Sequence, residues 1–139
     1  MNKPGHHIVF VDSDSEDCYI MTLALEEVGI KEKIVSFSFG EELIVYLKEC
    51  PDNLPTLIVL HYNIFRKGTE ELLKTLKQNA AYQDIPVIIY ATGFEPEERQ
   101  HCLDLGALSC HEKAQTYYGS IRLAGIFAEA SLQHSKSEI

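Results

Sequence analysis

Short apolar runs alternate along the chain with stretches in which apolar residues recur every three or four positions. The runs occupy residues 8–11, 34–37, 56–60, 86–90 and 107–111. The first, third and fourth runs are apolar at nearly every position, which is typical of strands covered on both faces. The pattern therefore predicts five strands, and the fifth run, which is less apolar, is expected nearer an edge of the sheet.

The stretches between the runs have helical spacing. The first is marked by Cys18, Met21, Leu25 and Val28, with Gly29 as its stop. Ser13 and Glu16 predict a capping box at its start. Similar stripes predict four more helices, at Leu43, Leu47 and Cys50, at Leu72, Leu73, Leu76 and Ala80, between Pro96 and Gly106, and at Ile121, Gly125, Ala128 and Leu132. From Gln133 onward the chain is polar, and a frayed tail is expected there.

Five strands alternating with five helices predict an α/β fold. Strands this apolar need cover on both sides, so we expect a doubly wound five-stranded parallel sheet with helices on both faces. A single domain over residues 1–139 is expected, with its core at about 6–132 and a polar tail at 133–139. In such folds ligands bind outside the carboxyl ends of the strands.

Charge and composition narrow the function classes. Lys and Arg total 12 against 21 Asp and Glu, giving a net charge of −9. A surface with this much negative charge repels phosphate backbones and anionic lipids. Neither nucleic acid nor a membrane is therefore expected as a partner. The sequence has no apolar run near the roughly 18 residues of a membrane span and no signal peptide, so a cytoplasmic location with reduced cysteines is expected.

One cysteine cluster invites a metal interpretation. His101 and Cys102 are separated by seven residues from Cys110 and His111. This gap matches no standard zinc spacing, and Gly106 within it indicates a helix end followed by a strand. No metal is expected at this cluster.

Four stretches carry a family resemblance: IVFVDSDSED (8–17), LIVLHYNIFRKGTEELL (57–73), IPVIIYATG (85–93) and GALSCHEKA (106–114). By their order and spacing the chain, from Ile8 to Leu132, resembles the receiver domain of two-component response regulators. The resemblance implies the flavodoxin-like (βα)5 receiver fold. It also implies the family's chemistry, in which an aspartate ending the third strand accepts a phosphoryl group from a kinase phosphohistidine beside Mg²⁺.

The positions that carry this chemistry in the family are largely substituted. The resemblance places His61 at the acceptor aspartate, Asp12 and Ser13 at the acidic pair, Asn63 at the metal-binding carbonyl, Ala91 at the switch Thr or Ser, Cys110 at the aromatic switch and Lys113 at the family lysine. Asp14 and Thr92 each lie one residue beyond the position they would need to fill. The chain therefore resembles a degenerate pseudo-receiver that lacks the phosphoacceptor.

These substitutions have physical consequences. Only Asp12 is a certain carboxylate in a pocket that needs about three to hold Mg²⁺ against its hydration. Binding of Mg²⁺ is expected to be weak or absent, with Asp12 and Asp14 as weak candidates, and no other cofactor is expected. Asp14 could instead belong to the first helical turn. We also expect Asp12 and Lys113 to form an ion pair that closes the pocket.

Three roles stay open for His61. It could accept a phosphoryl group, respond to pH between Asp12 and Lys113, or serve as a polar residue that bonds Asp12 or a carbonyl. Elsewhere, Arg66 and Lys67 form a small basic spot that could meet an acidic partner or be solvated. The aromatic residues of the last helix, Tyr117, Tyr118 and Phe127, could line an interface or the edge of the core.

The favoured hypothesis is a stand-alone receiver-like module, not an enzyme, that is not phosphorylated in the usual way and binds another signalling protein. That partner would be a histidine kinase, a regulator or a second copy, meeting the face of the fourth helix, fifth strand and fifth helix. One alternative is a phosphorelay receiver with an unusual acceptor, His61 or a nearby carboxylate. Another, weaker alternative is a small flavodoxin-like enzyme or cofactor binder.

Overall fold

The structure is a computed structural model that describes residues 5–30, 33–62 and 68–137, with side chains described up to residue 133. Its strands are β1 (His7–Val11), β2 (Lys33–Phe37), β3 (Leu57–His61), β4 (Val87–Ala91) and β5 (Ser109–Glu112). They form one parallel sheet in the order β2-β1-β3-β4-β5. The predicted sheet is confirmed, and β5 lies at an edge as expected.

The helices are α1 (Ser15–Glu27), α2 (Gly40–Glu49), α3 (Gly68–Gln78), α4 (Pro96–Asp104) and α5 (Tyr117–Ser137). The predicted brackets of α4 are confirmed, since Pro96 begins it and the left-handed Gly106 lies just beyond its end. None of the helices in the described part of the chain is both long and apolar enough to cross a membrane.

Two apolar clusters cover the two faces of the sheet, which explains the uninterrupted apolar runs. Val9, Ile58 and Ile89 contribute to the cluster that includes Leu43 of α2 and Leu73 of α3. The alternate strand residues Ile8, Phe10, Val59, Ile88 and Tyr90 join α1 and α5 in the other cluster. The three central strands β1, β3 and β4 are therefore buried on both sides, as strands of parallel sheets commonly are.

An aromatic group lies at the centre of the second cluster. The Tyr90 ring centroid is 6.4 Å from that of Phe10 and 6.2 Å from that of Phe127, and all three side chains are buried. Phe127 therefore belongs to the core, which decides between the two roles left open for it.

One sequence prediction about a helix end is wrong. The N-cap of α1 is Asp14, not Ser13, because the Asp14 carboxylate accepts from the backbone N–H groups of Glu16 and Asp17 at 3.0 and 3.1 Å. At the other end of the chain, α5 continues through Ser137, so the polar tail predicted from Gln133 begins inside this helix, and its fraying stays a prediction. The Gln133 amide bonds the Glu129 carboxylate one turn earlier at 3.2 Å, and no glycine or proline stops the helix.

Candidate functional site

The carboxyl ends of β1, β3, β4 and β5 meet around one buried carboxylate. Asp12 directly follows β1, and its side chain has no solvent exposure. Its Oδ2 accepts from the Tyr90 hydroxyl at 2.7 Å and the Lys113 ammonium at 2.8 Å, and its Oδ1 accepts from the Asp14 N–H at 3.0 Å. His61 Nδ1 lies 3.5 Å from Oδ1. The expected ion pair of Asp12 with Lys113 is therefore present.

Lys113 has a second carboxylate partner that the sequence did not reveal. Its Nζ lies 2.6 Å from Oδ2 of Asp17 in the first turn of α1, and 5.0 Å from the centre of the Tyr90 ring. Its backbone N–H donates to the carbonyl of Ala91 at 2.7 Å, which holds the residue beside the end of β4. The lysine thus joins β1, α1, β4 and β5 at one point.

Tyr90 is the other site residue that sequence reasoning missed. Its position in an apolar strand suggests a core side chain, yet a buried tyrosine hydroxyl generally requires a partner. That requirement is the one signal in the sequence that points to Asp12. Acidic residues are common in the first turn of a helix, and this alone explains an aspartate at position 17. Nothing in the sequence therefore indicates that Asp17 pairs with Lys113.

The environment fixes the charges of this group at neutral pH. Burial by itself would raise the pKa of Asp12, but the hydrogen bonds from Lys113, the Asp14 N–H and Tyr90 outweigh it and lower the pKa. Burial opposes charge on Lys113 too, yet Asp12 and Asp17 raise its pKa. Burial and then Asp12 raise the pKa of Tyr90. The carboxylate and the ammonium are therefore charged and the phenol is neutral.

His61 ends β3, with its side chain 23% exposed. Burial, followed by repulsion from Lys113, lowers the pKa of its imidazole, although Asp12 acts in the opposite direction. Its ring meets that of Tyr90 edge to face, with centroids 6.0 Å apart. It also lines an open cavity of about 440 Å³ between the first turns of α2 and α3. At neutral pH it is thus an uncharged imidazole at the edge of a cavity.

Among the other predicted site positions that the structure describes, no side chain is hydrogen-bonded to the Asp12 carboxylate. Ser13 and Thr92 are exposed, and Ala91 is buried with only a methyl group as its side chain. Asp14 is turned toward α1 as its cap. Asn63, and with it the basic spot at Arg66 and Lys67, lies outside the described residues. Among the residues that are described, no three His, Cys, Asp or Glu side chains come together as they would around a metal ion.

The two cysteines and the two histidines of the candidate metal cluster have different surroundings in the structure. Cys102 of α4 and Cys110 of β5 are both buried, and the Cys110 thiol donates to the backbone carbonyl of Arg99 at 3.9 Å. The histidines have other partners, since His101 Nε2 lies 3.2 Å from a Glu70 oxygen and His111 Nε2 bonds the Ser109 hydroxyl at 2.9 Å. These four side chains therefore do not come together as metal ligands would.

Arg99 of α4 connects this region to the loop after β4. Its guanidinium donates to the Cys110 carbonyl at 2.5 Å and lies 5.1 Å from the centre of the Phe94 ring. On the neighbouring surface Tyr118 is 86% exposed and Tyr117 about half exposed, as an interface would require. Leu103 and Leu108 add exposed apolar area between α4 and β5.

The sequence matches no protein-family model and no curated protein. The structure is similar to the phosphorylated cyanobacterial phytochrome response regulator RcpA, at 22% identity over 92% of this chain and 94% of that chain, with a TM-score of 0.81. The Mn²⁺-bound form of response regulator Rcp1 follows, at 21% identity over 87% and 91% of the two chains and a TM-score of 0.74. A receiver domain from Rhodospirillum rubrum is 22% identical over 88% and 94%, with a TM-score of 0.75. These similarities define the fold as that of response regulator receiver domains.

Proposed function

We propose that this chain is a receiver-like module of two-component signalling that is not phosphorylated in the usual way and acts by binding another protein rather than by catalysis. The observation that carries the proposal is the closed state of Asp12. Its carboxylate, which would hold Mg²⁺ in a working receiver, already accepts from Lys113, Tyr90 and the Asp14 N–H.

The ammonium group of Lys113 competes directly with a metal ion. Mg²⁺ binds oxygen ligands in near-octahedral geometry and dehydrates reluctantly, so it needs several free oxygens. Here one oxygen of Asp12 has two donors, and an oxygen of Asp17 is bound to the same lysine. A metal ion would have to displace the lysine from both carboxylates. RcpA and Rcp1, by contrast, are described as phosphorylated and Mn²⁺-bound.

The residues at the acceptor position and at the switch position also argue against phosphorylation of the usual kind. An imidazole at position 61 cannot form the acyl phosphate of a receiver, and the methyl group of Ala91 cannot follow a phosphoryl oxygen. We infer that the surface of α4, β5 and α5 is held in one state. Its exposed Leu103, Leu108 and Tyr118 suit contact with a kinase, a regulator or a second copy.

The test is an amide NMR titration with Mg²⁺ and then with beryllofluoride, which mimics an aspartyl phosphate. We expect no shifts at Asp12, His61 and Lys113. Shifts that spread from these residues to Cys110 and α5 would mean that the pocket still works and would refute the proposal. As the positive control, the double variant His61→Asp with Ser13→Asp is expected to gain measurable Mg²⁺ binding.

A second candidate is a phosphorelay receiver that uses His61 as its acceptor. It is favoured by the uncharged imidazole beside a cavity of about 440 Å³, because a neutral ring nitrogen is nucleophilic. Uptake of label from acetyl phosphate that disappears in His61→Ala would support this candidate. The favoured proposal predicts no label in either protein.

A further inference from the structure

An open cavity extends from the Asp12 site into the space between α2 and α3. Its volume is about 440 Å³, within the range of about 300–1,000 Å³ that is typical of small-molecule sites. Asp12 and His61 form its inner end, and the rest is lined mainly by the loop after β2 and the first two turns of the two helices. Most of the lining therefore lies outside the site described above.

Much of this lining is apolar. Val11 and Leu60, near the ends of β1 and β3, are buried. Ile44 of α2 and Leu72 of α3 are partly buried against the same core cluster. Gly40 lets the two helices approach each other here, because a Cβ atom at this position would lie 3.0 Å from Leu72 Cδ2. Such a lining stabilises a ligand by removing apolar surface from water, so the ligand needs an apolar body.

Phe39 lines the cavity with an aromatic ring that the local structure does not explain. It is the N-cap residue of α2, a position usually taken by Ser, Thr, Asp or Asn, whose side-chain oxygen accepts from the helix. A phenyl ring cannot accept in this way, and the Glu42 carboxylate instead accepts from the N–H groups of Ser38 and Phe39 at 3.1 and 3.0 Å. The ring is 55% exposed. A flat ligand in the cavity would cover this ring and gain an aromatic contact.

The polar part of the lining carries negative charge. Glu41 and Glu71 lie in the first turns of α2 and α3, where acidic residues also stabilise a helix, and both line the cavity. These two glutamates set the charge preference, because Asp12 at the inner end is already paired with Lys113. A negative ligand would be repelled by them and by the net charge of −9 of the chain. A positive charge is attracted both to carboxylates and to the face of an aromatic ring.

We propose that this cavity binds a small aromatic amine in its protonated form. The ammonium group faces the carboxylates of Glu41 and Glu71, and the aromatic body lies on Phe39 against Ile44 and Leu72. The inference goes beyond the proposed function, because it concerns a small molecule and needs neither Mg²⁺ nor a protein partner.

The experiment is an amide NMR titration of the full-length protein without Mg²⁺, using three ligands that share an indole ring. Tryptamine is a cation at neutral pH, 3-methylindole is uncharged and indole-3-acetate is an anion. We expect tryptamine to give saturable shifts at Phe39, His61 and Leu72 with a Kd below about 1 mM, a value ordinary for so small a ligand. Indole-3-acetate should bind at least about tenfold more weakly, with 3-methylindole between the two. No saturable shift with tryptamine, shifts confined to other residues, or equal binding of all three ligands would overturn the proposal.

A pair of double variants tests the contact with the ammonium group. Glu41→Gln with Glu71→Gln should weaken tryptamine binding at least about fivefold and leave binding of 3-methylindole unchanged. The control, Glu49→Gln with Glu97→Gln, removes the same charge from exposed positions outside the cavity lining and should change the Kd less than about twofold. If both double variants weakened binding equally, the net charge rather than the cavity would attract the amine, and the assignment would be refuted.

A second pair of variants tests the contact with the aromatic body. Phe39→Ala should weaken binding of tryptamine at least about threefold, whereas the matched control Tyr118→Ala, which removes an exposed ring of α5, should not. Equal effects of the two variants would contradict the assignment. All the substituted side chains are exposed, so the variants are expected to fold. A response to beryllofluoride would refute the proposed function and leave this inference intact, and failure of tryptamine to bind would refute this inference alone.

Discussion

Replacing Lys113 by methionine tests whether Asp12 is held by its ion pair. The substitution keeps an unbranched side chain of similar length and removes the one cation within 4 Å of both Asp12 and Asp17 among the described residues. Breaking a buried ion pair costs about 3–5 kcal/mol of unfolding free energy, because it leaves a buried charge unpaired. Here Asp12 keeps two other donors, Tyr90 and the Asp14 N–H, and the Lys113 side chain is 14% exposed. A loss of about 2–3 kcal/mol at pH 7 is therefore expected.

The second carboxylate adds little to that loss. The Asp17 side chain is 35% exposed, so its pairing with Lys113 is screened by solvent and is worth at most about 0.5 kcal/mol. A domain of this size has a total stability of about 5–15 kcal/mol, so the variant should fold with a clearly lower urea midpoint.

The pH dependence separates this effect from a packing defect. In the wild type the pKa of Asp12 is lowered, so its stabilisation is complete above the unfolded value of 3.8 and is lost as pH falls through the folded value. Without Lys113, burial should raise the folded pKa of Asp12 above 3.8. Acid then relieves the buried charge, and the difference between variant and wild type should shrink as the pH falls from 8 to 4.

Urea unfolding across that pH range measures the effect, with Lys48→Met as the matched control on an exposed lysine of α2. The control should change stability by less than about 0.5 kcal/mol at every pH. If Lys113→Met behaved like Lys48→Met, or if its loss were the same at pH 4 and pH 8, the argument for a buried and paired Asp12 would be wrong.

Three further predictions concern neighbouring groups. Tyr90→Phe removes one donor to Asp12 while keeping the ring, and should cost about 1–2 kcal/mol in urea unfolding; no loss would mean that the hydroxyl is replaceable by water. By NMR the His61 imidazole should titrate below 6.5, and higher in Lys113→Met than in the wild type, because Lys113 helps lower its pKa; an unchanged value would contradict that cause. Asp14→Ala should cost about 1 kcal/mol through loss of the α1 cap, and Ser13→Ala only a few tenths; the reverse order would restore the capping box.

The sheet could be predicted because a strand that is buried on both faces is apolar at nearly every position of the sequence. Each apolar run from 8–11 to 107–111 corresponds to a strand within about two residues, and the three central strands β1, β3 and β4 are buried at almost every position. The cap of α1 was placed one residue too early because Ser13, Asp14 and Ser15 are all good caps. In the structure the Asp14 N–H donates to the Asp12 carboxylate, and this turn places Asp14 rather than Ser13 or Ser15 at the cap position.

The ion pair of Asp12 with Lys113 could be predicted from the sequence, but the contacts of Tyr90 and Asp17 with this pair could not. Asp12 and Lys113 each follow a strand, and the carboxyl ends of parallel strands meet at one edge of the sheet. The roles of Tyr90 and Asp17 depend on side-chain direction, which is set by strand register and by the position of α1 against α5. Neither quantity leaves a periodic signal in the sequence.

Tyr90 connects the apolar core of this molecule to the polar site at the edge of the sheet. Its ring is fixed among Phe10 and Phe127, and its hydroxyl ends on Asp12. A core substitution such as Phe127→Ala would therefore be felt at a carboxylate it never touches, because a ring free to tilt takes its hydroxyl with it. Changes of shape in the core and changes of charge at the rim are thus not independent in this fold.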